Sequence, residues 1–133
     1  MGEVTIRRYE PADEPAFFAM LEAAGDDWQE YFGPAGRASY ARAMRTSVAY
    51  LLVVDGELGG YARCREDDGF GVYVHDLLVL PAYRGRHLGR ALMERVRAEF
   101  ADQTVYVMSD VDPYYEKLGY GRAGAIFVVG PGT

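Results

Sequence analysis

Apolar and polar positions alternate over residues 4–8, the period of a half-buried strand, until Pro11 ends it. The period then lengthens. Phe17, Met20, Leu21 and Ala24 fall on one side of a helix that Asp13 can cap and Gly25 can close. Residues 26–36 show no period and read as a loop, with Trp28, Tyr31 and Phe32 set among Asp26, Asp27 and Glu30. Ser39 can cap a second helix that carries Tyr40, Ala43 and Met44 on one side. Strands come next over 49–54, 60–65 and 72–80. The first two are joined at Asp55-Gly56, a strong hairpin signal, and a second turn lies over 66–69. Leu88, Leu92, Val96 and Phe100 then recur every four residues with Ala91 on the same side, an amphipathic helix. Residues 105–108 read as a strand, 113–117 as a short helix and 125–129 as a last strand. This order predicts an α+β fold, a mixed, mostly antiparallel central sheet with helices on both faces. With no repeat, low-complexity tract or linker, one domain is expected over 1–133.

Composition narrows the function classes. Half the residues are hydrophobic and 26% charged, as in soluble globular proteins. No apolar run approaches a membrane span, and the N-terminus lacks the pattern of a signal peptide. Cys64 is the single cysteine, so an internal disulfide is impossible and a reducing cytoplasm fits. On its strand Cys64 reads as a small buried hydrophobe rather than a nucleophile. The net charge of −6 argues against a nucleic-acid binder. Two histidines without Cys-His spacing give no reason to expect a metal. Ser109-Asp110 lacks the Gly-x-Ser-x-Gly elbow of serine hydrolases. The eleven tyrosines either line a cleft or fill strands.

The chemistry concentrates between residues 76 and 93. Leu77 to Leu80 is a short apolar run, typical of a central strand, and Pro81 stops it. Before the helix come Arg84, Gly85, Arg86, His87, Leu88, Gly89 and Arg90. Gly85 and Gly89 let the backbone approach a ligand. The first N–H groups of the helix have no partner within it, and three arginines add full positive charges. Such a turn suits a phosphate or pyrophosphate. It has neither the Gly-Lys-Ser/Thr of an NTPase loop nor the Gly-x-Gly-x-x-Gly of a dinucleotide fold. The bland alternative is a surface turn with scattered arginines.

The stretch resembles the pyrophosphate loop of the GNAT family of N-acetyltransferases, Arg/Gln-x-x-Gly-x-Gly/Ala preceded by Val-x-Pro. Arg84, Leu88, Gly89 and Val79-Leu80-Pro81 fit. His87 stands where the family usually has its first glycine, a replacement tolerated where the backbone keeps a negative φ. A second stretch, Tyr114-Tyr115-Glu116-Lys117-Leu118-Gly119-Tyr120, resembles the family's Phe-Tyr-Glu-Lys-Leu-Gly-Phe. The element order matches the family's from end to end, and the specific motifs cover about a third of the chain.

The resemblance implies the remaining roles. Tyr115 maps to the aromatic that protonates the departing thiolate. A phenol, pKa ~10, stays protonated until a thiolate of pKa ~8.5 forms. Tyr114 reads as a packing residue. The backbone of Leu77, Leu78 and Val79 would pair with the pantetheine arm of coenzyme A as an added strand, with a donor near Val79 for the acetyl oxygen. Arg84, Gly85, Arg86, His87, Leu88, Gly89 and Arg90 would hold the pyrophosphate. The asparagine that many relatives carry upstream of the second motif is missing, so its contact is absent or made by Ser109 or Asp110. His75 takes the position of the family's frequent general base; the alternative is a half-exposed strand histidine. Alternation puts its neighbour Asp76 on the opposite face unless a bulge intervenes. Trp28 and Tyr31, with the acids around them, form an acceptor pocket or tuck onto the core.

The resemblance thus implies a cytoplasmic N-acetyltransferase that uses acetyl-CoA and no metal. It would acetylate a primary amine of a small molecule by direct attack in a ternary complex. The alternatives are a non-catalytic acyl-CoA-binding module and a protein N-terminal or lysine acetyltransferase. Neither nucleic acid nor membrane is expected as a partner, and nothing in the sequence fixes an oligomeric state.

Overall fold

The structure, a computed structural model, describes residues 2–109 and 111–130. Five strands form one sheet in the order of the chain: β1 (Val4–Arg8), β2 (Val48–Val54), β3 (Glu57–Glu66), β4 (Val72–Val79) and β5 (Val105–Val107). Neighbours are antiparallel except β4 and β5, which run parallel. The helix α4 (Leu88–Glu99) makes the crossover that a parallel pair requires. No helix of the described residues is long and apolar enough to cross a membrane.

Each strand divides its side chains between two cores. Ala49, Leu51, Tyr61 and Leu78 meet Phe17, Phe18 and Leu21 of α1 (Glu14–Ala24) and Tyr40 and Met44 of α3 (Arg37–Thr46). Tyr50, Leu52, Ala62, Cys64, Val72 and Val74 meet Leu88, Leu92, Met93 and Val96 of α4. Helices therefore cover both faces of the sheet. Cys64 is fully buried, and burial pushes its thiol up to about 11, so it packs as an inert hydrophobe.

Some local signals give way to others. Ser39 lies inside α3, because the Gly33 carbonyl accepts the Arg37 N–H at 3.0 Å and the helix starts with Gly36 as its N-cap, three residues before Ser39. Asp13 makes no side-chain bond to α1. Its carboxylate instead takes the Glu10 N–H and the Arg7 guanidinium, each within 2.9 Å. Residues 26–36 contain a 3-10 turn at Asp26–Trp28 and the short helix α2 (Gln29–Phe32). The expected strand over 125–129 does not form. Ile126, Phe127, Val128 and Val129 are 67–97% exposed. Strand propensity acts through cross-strand packing, and no strand of the described residues pairs with this stretch. The second-motif helix, α5, spans Asp112–Lys117.

Candidate active site

β4 has partners on both edges only along its first half. The ladder to β5 runs Val72↔Val105, Tyr73↔Tyr106 and Val74↔Val107, and a Met108 N–H to Val74 carbonyl bond of 3.3 Å ends it. Beyond that point the strands part. The ladder to β3 continues, and the Leu80 N–H donates to the Gly59 carbonyl at 2.8 Å. Residues of an antiparallel strand alternate in the edge to which they turn N–H and C=O. With Leu80 paired to Gly59, Leu78 turns to Tyr61, and Leu77 and Val79 turn to the edge that β5 has left. Leu77 and Val79 thus offer backbone groups at an open edge, while the backbone of Leu78 points into the sheet.

A one-residue slip occurs where the strands part. Arg63 faces Asp76 but Cys64 faces Val74, so His75 has no partner on β3. This bulge reverses the parity of β4. Val72 and Val74 pack towards α4, whereas Leu78 packs towards α1 and α3, where Asp76 meets Tyr40. Asp76 therefore does not lie across the sheet from the site. His75, Asp76 and Leu77 line one cavity of about 630 Å³ together with Met108, Ser109 and Tyr115. Asp27, Trp28, Glu30 and Tyr31 make its far wall. Trp28 and Tyr31 serve both readings of that segment. They line the cavity and also pack on the core, Trp28 against the Tyr61 ring at 5.9 Å and Tyr31 on the Tyr40 ring at 4.2 Å.

Tyr115 reaches the cavity from α5, its ring edge-on to Tyr114 at 5.0 Å and stacked with Tyr120 at 6.4 Å. Burial, with the Arg63 charge second, holds the His75 imidazole below the usual histidine value, and Asp76 offsets part of this. His75 is therefore mostly neutral at pH 7 and can accept a proton. The Ser109 hydroxyl donates to Asp112 at 2.7 Å and takes the Val111 N–H at 3.2 Å, which orders the start of α5. Asp110 lies outside the described residues.

The arginine–glycine turn sits just past the end of β4. Pro81–Tyr83 makes a 3-10 turn, Gly85 has φ 82°, and His87 is the left-handed N-cap of α4 with φ 60°. The backbone at His87 therefore takes the conformation that glycine adopts most readily, so the condition under which the replacement is tolerated, a negative φ, is not met. The Arg84 Nε donates to the Val79 carbonyl at 2.8 Å, tying the turn to the open edge of β4. Gly89 is buried, and a Cβ there would run into the Tyr114 hydroxyl. Burial raises the Tyr114 phenol while the Arg90 and Arg84 charges act against it. The turn thus combines the N–H groups of a helix start, arginine charge and a close glycine backbone, a set that fits a pyrophosphate. Among the described residues no three His, Cys, Asp or Glu side chains are placed to hold a metal ion.

Sequence reasoning missed the support beneath the cavity. Asp76 is the one polar or charged residue buried among the described residues, at 7% exposure. Its carboxylate accepts from the Tyr31 hydroxyl at 3.2 Å, and from the Tyr40 hydroxyl and Arg63 Nε at 2.6 Å each. Burial first, and then the Asp76 charge, raise the Tyr31 and Tyr40 phenols far above their usual range, so both remain donors.

Residues 14–123 match the model of the acetyltransferase (GNAT) family. A mycothiol acetyltransferase of Streptomyces avermitilis is 37% identical over 90 residues, which are 66% of this chain and 29% of that protein. An uncharacterized N-acetyltransferase of Porphyra purpurea is 32% identical over 68 residues, 47% of this chain and 39% of that protein. The chain thus spans two fifths or less of these curated relatives. An aminoglycoside N-acetyltransferase solved in complex with CoA superposes with a TM-score of 0.79 and 13% identity. The superposition covers 100% of this chain and 97% of that one, and shows a shared fold.

Proposed function

The chain belongs to the acetyltransferase (GNAT) family, and from that premise we propose that it transfers acetyl from acetyl-CoA to a primary amine of a small molecule, by direct attack in one ternary complex in the cytoplasm. One observation carries the reading. His75, Leu77 and Tyr115 line a single cavity, beside the open edge of β4 at which Leu77 and Val79 turn their backbone groups outward, and this supports the reading. Acetyl-CoA, when bound, supplies an activated acyl carbon on a good leaving group.

The residues of the chain do the rest. Leu77 and Val79 pair with the extended arm of the cofactor, and the Val79 N–H faces the oxygen on which negative charge grows. The start of α4 with Arg84, Arg86 and Arg90 receives the pyrophosphate. His75 takes the proton that the amine gives up as its nitrogen bonds to the acyl carbon. As the carbon–sulfur bond breaks, the electron pair leaves on sulfur and Tyr115 protonates it. Trp28 and Tyr31, with Asp27 and Glu30, form the wall that holds the amine. An amine library screened for thiol release from acetyl-CoA tests the proposal. Turnover on a small amine supports it; acetyl-CoA binding without turnover on any amine or peptide would make the chain a binding module.

A further inference from the structure

The Asp76 carboxylate takes three donors from three elements, Tyr31 of α2, Tyr40 of α3 and Arg63 of β3. Because an ionised carboxylate only accepts, Tyr40 spends its proton on Asp76 and must accept from Tyr61, 2.6 Å away. The order of donation runs Tyr61 to Tyr40 to Asp76. Arg63 stays in the same cluster, with its guanidinium 5.4 Å from the Tyr40 ring and bonded to the Ser47 hydroxyl at 3.1 Å. Its side chain is 12% exposed and that of Asp76 6%. A proton taken up by Asp76 would cost it an acceptor for these donors, which makes it a poor general base.

The place of this cluster in the fold gives it another use. The Arg63–Asp76 pair closes the last rung before the bulge, so it fixes the register at which His75 is thrown out of the ladder. Tyr31 belongs to a helix of four residues, too short to hold its shape alone. It is held by its stack on Tyr40 and its bond to Asp76. We propose that Asp76 is a positioning residue for the acetyl transfer, fastening the amine-binding wall at Tyr31 to the bulge that aims His75 and shielding His75 from the Arg63 charge. This inference rests on the proposed reaction for its kinetic half only. Burial first, then the Arg63 and Arg65 charges, lower the proton affinity of His75, and the Asp76 charge raises it. Asp27, Glu30 and Tyr31 from the far wall and Tyr115 from α5 face the same cavity.

Two measurements test it on the full chain. The first tracks the His75 ring by NMR titration, with His87→Gln used to assign the two histidine signals. In Asp76→Asn the His75 midpoint should fall, and in Arg63→Gln it should rise. The double variant, which removes both charges and leaves neither buried alone, should return it towards the parent. A purely structural Asp76 would not give opposite shifts, and equal or absent shifts in variants that fold overturn the proposal. If either single variant fails to fold, the other and the double decide the matter. The second measurement is steady-state kinetics on Tyr31→Phe, which keeps the stack and loses one hydrogen bond. The KM for the amine should rise about tenfold or more, the worth of one hydrogen bond to a charged acceptor, while the KM for acetyl-CoA stays. A rise in both, or in neither, overturns the fastening role. If the parent turns over no amine, the proposed reaction has failed, and the titration still decides the electrostatic half.

Discussion

A His75→Gln variant separates two ways of supplying a neutral amine. A primary alkylamine has a pKa of ~10.4, so only about one molecule in 2,500 is neutral at pH 7. His75 sits outside the ladder at the bulge, on the cavity that Tyr115 also lines. Burial and Arg63 keep its proton affinity below the usual histidine value. The parent rate at saturating acetyl-CoA should thus rise through an ionisation below the usual histidine range and be nearly level at neutral pH. His75→Gln keeps a polar side chain but cannot take the proton. The rate at pH 7 should drop about 10²–10⁴-fold and then climb about tenfold per pH unit towards the pKa of the amine. Single-turnover thiol release is the assay, because slow product release would mask the chemistry in steady state. The same shift has a sign for stability. The folded imidazole binds its proton more weakly than the unfolded one, so stability should fall as pH drops through the unfolded value towards the folded one. A folded His75→Gln enzyme with the parent's pH profile would refute the reasoning.

The same geometry yields further outcomes. Tyr115→Phe keeps the ring packed between Tyr114 and Tyr120 and removes the proton donor, so single-turnover rates should fall about 10²–10⁴-fold while calorimetry finds acetyl-CoA affinity unchanged. Gly89→Glu must displace the Tyr114 hydroxyl, the mobile end of a side chain, so the fold should survive. Its carboxylate at the start of α4 should abolish the rise in melting temperature that acetyl-CoA gives the parent; an undiminished rise would remove the turn from the binding site. His87→Gly relieves a left-handed backbone that costs a non-glycine residue about 1–2 kcal/mol, and loses about 0.5–1 kcal/mol to the freer unfolded chain. The net gain should be up to about 1.5 kcal/mol in urea unfolding, and a loss would show that the histidine side chain makes up for its strain.

What could be read in the sequence was what a single segment determines. The β2–β3 hairpin at Asp55-Gly56, the β4 run ended by Pro81 and the four-residue period of α4 each depend on neighbours in the chain. The turn at Arg84 to Gly89 and the place of Tyr115 on a short helix were legible for the same reason. The strand over 125–129 failed because a strand needs a partner as well as a composition. The cap at Ser39 lost to a backbone bond from the Arg37 N–H to the Gly33 carbonyl, which no side-chain pattern announces.

The bulge at His75, which the alternation of β4 alone left open, is the instructive case, because it belongs to two strands at once. Alternation along β4 alone assigns His75 and Asp76 to opposite faces. Along β3, however, alternation puts Tyr61 and Arg63 on the same face, and Tyr61 is fully buried there against α1 and α3. A guanidinium carried two residues from such a position needs a carboxylate close by, since an unpaired buried charge is severely destabilising. Opposite it on β4 stands Asp76. If Asp76 joins the Arg63 face, and Val72 and Val74 stay with α4, an odd residue must be absorbed between Val74 and Asp76. That residue can only be His75. The charge on β3 thus carries the information that the hydrophobic pattern of β4 lacks. The same ion pair that hides the bulge from a one-strand reading is what sets His75, the proposed general base, free of the ladder.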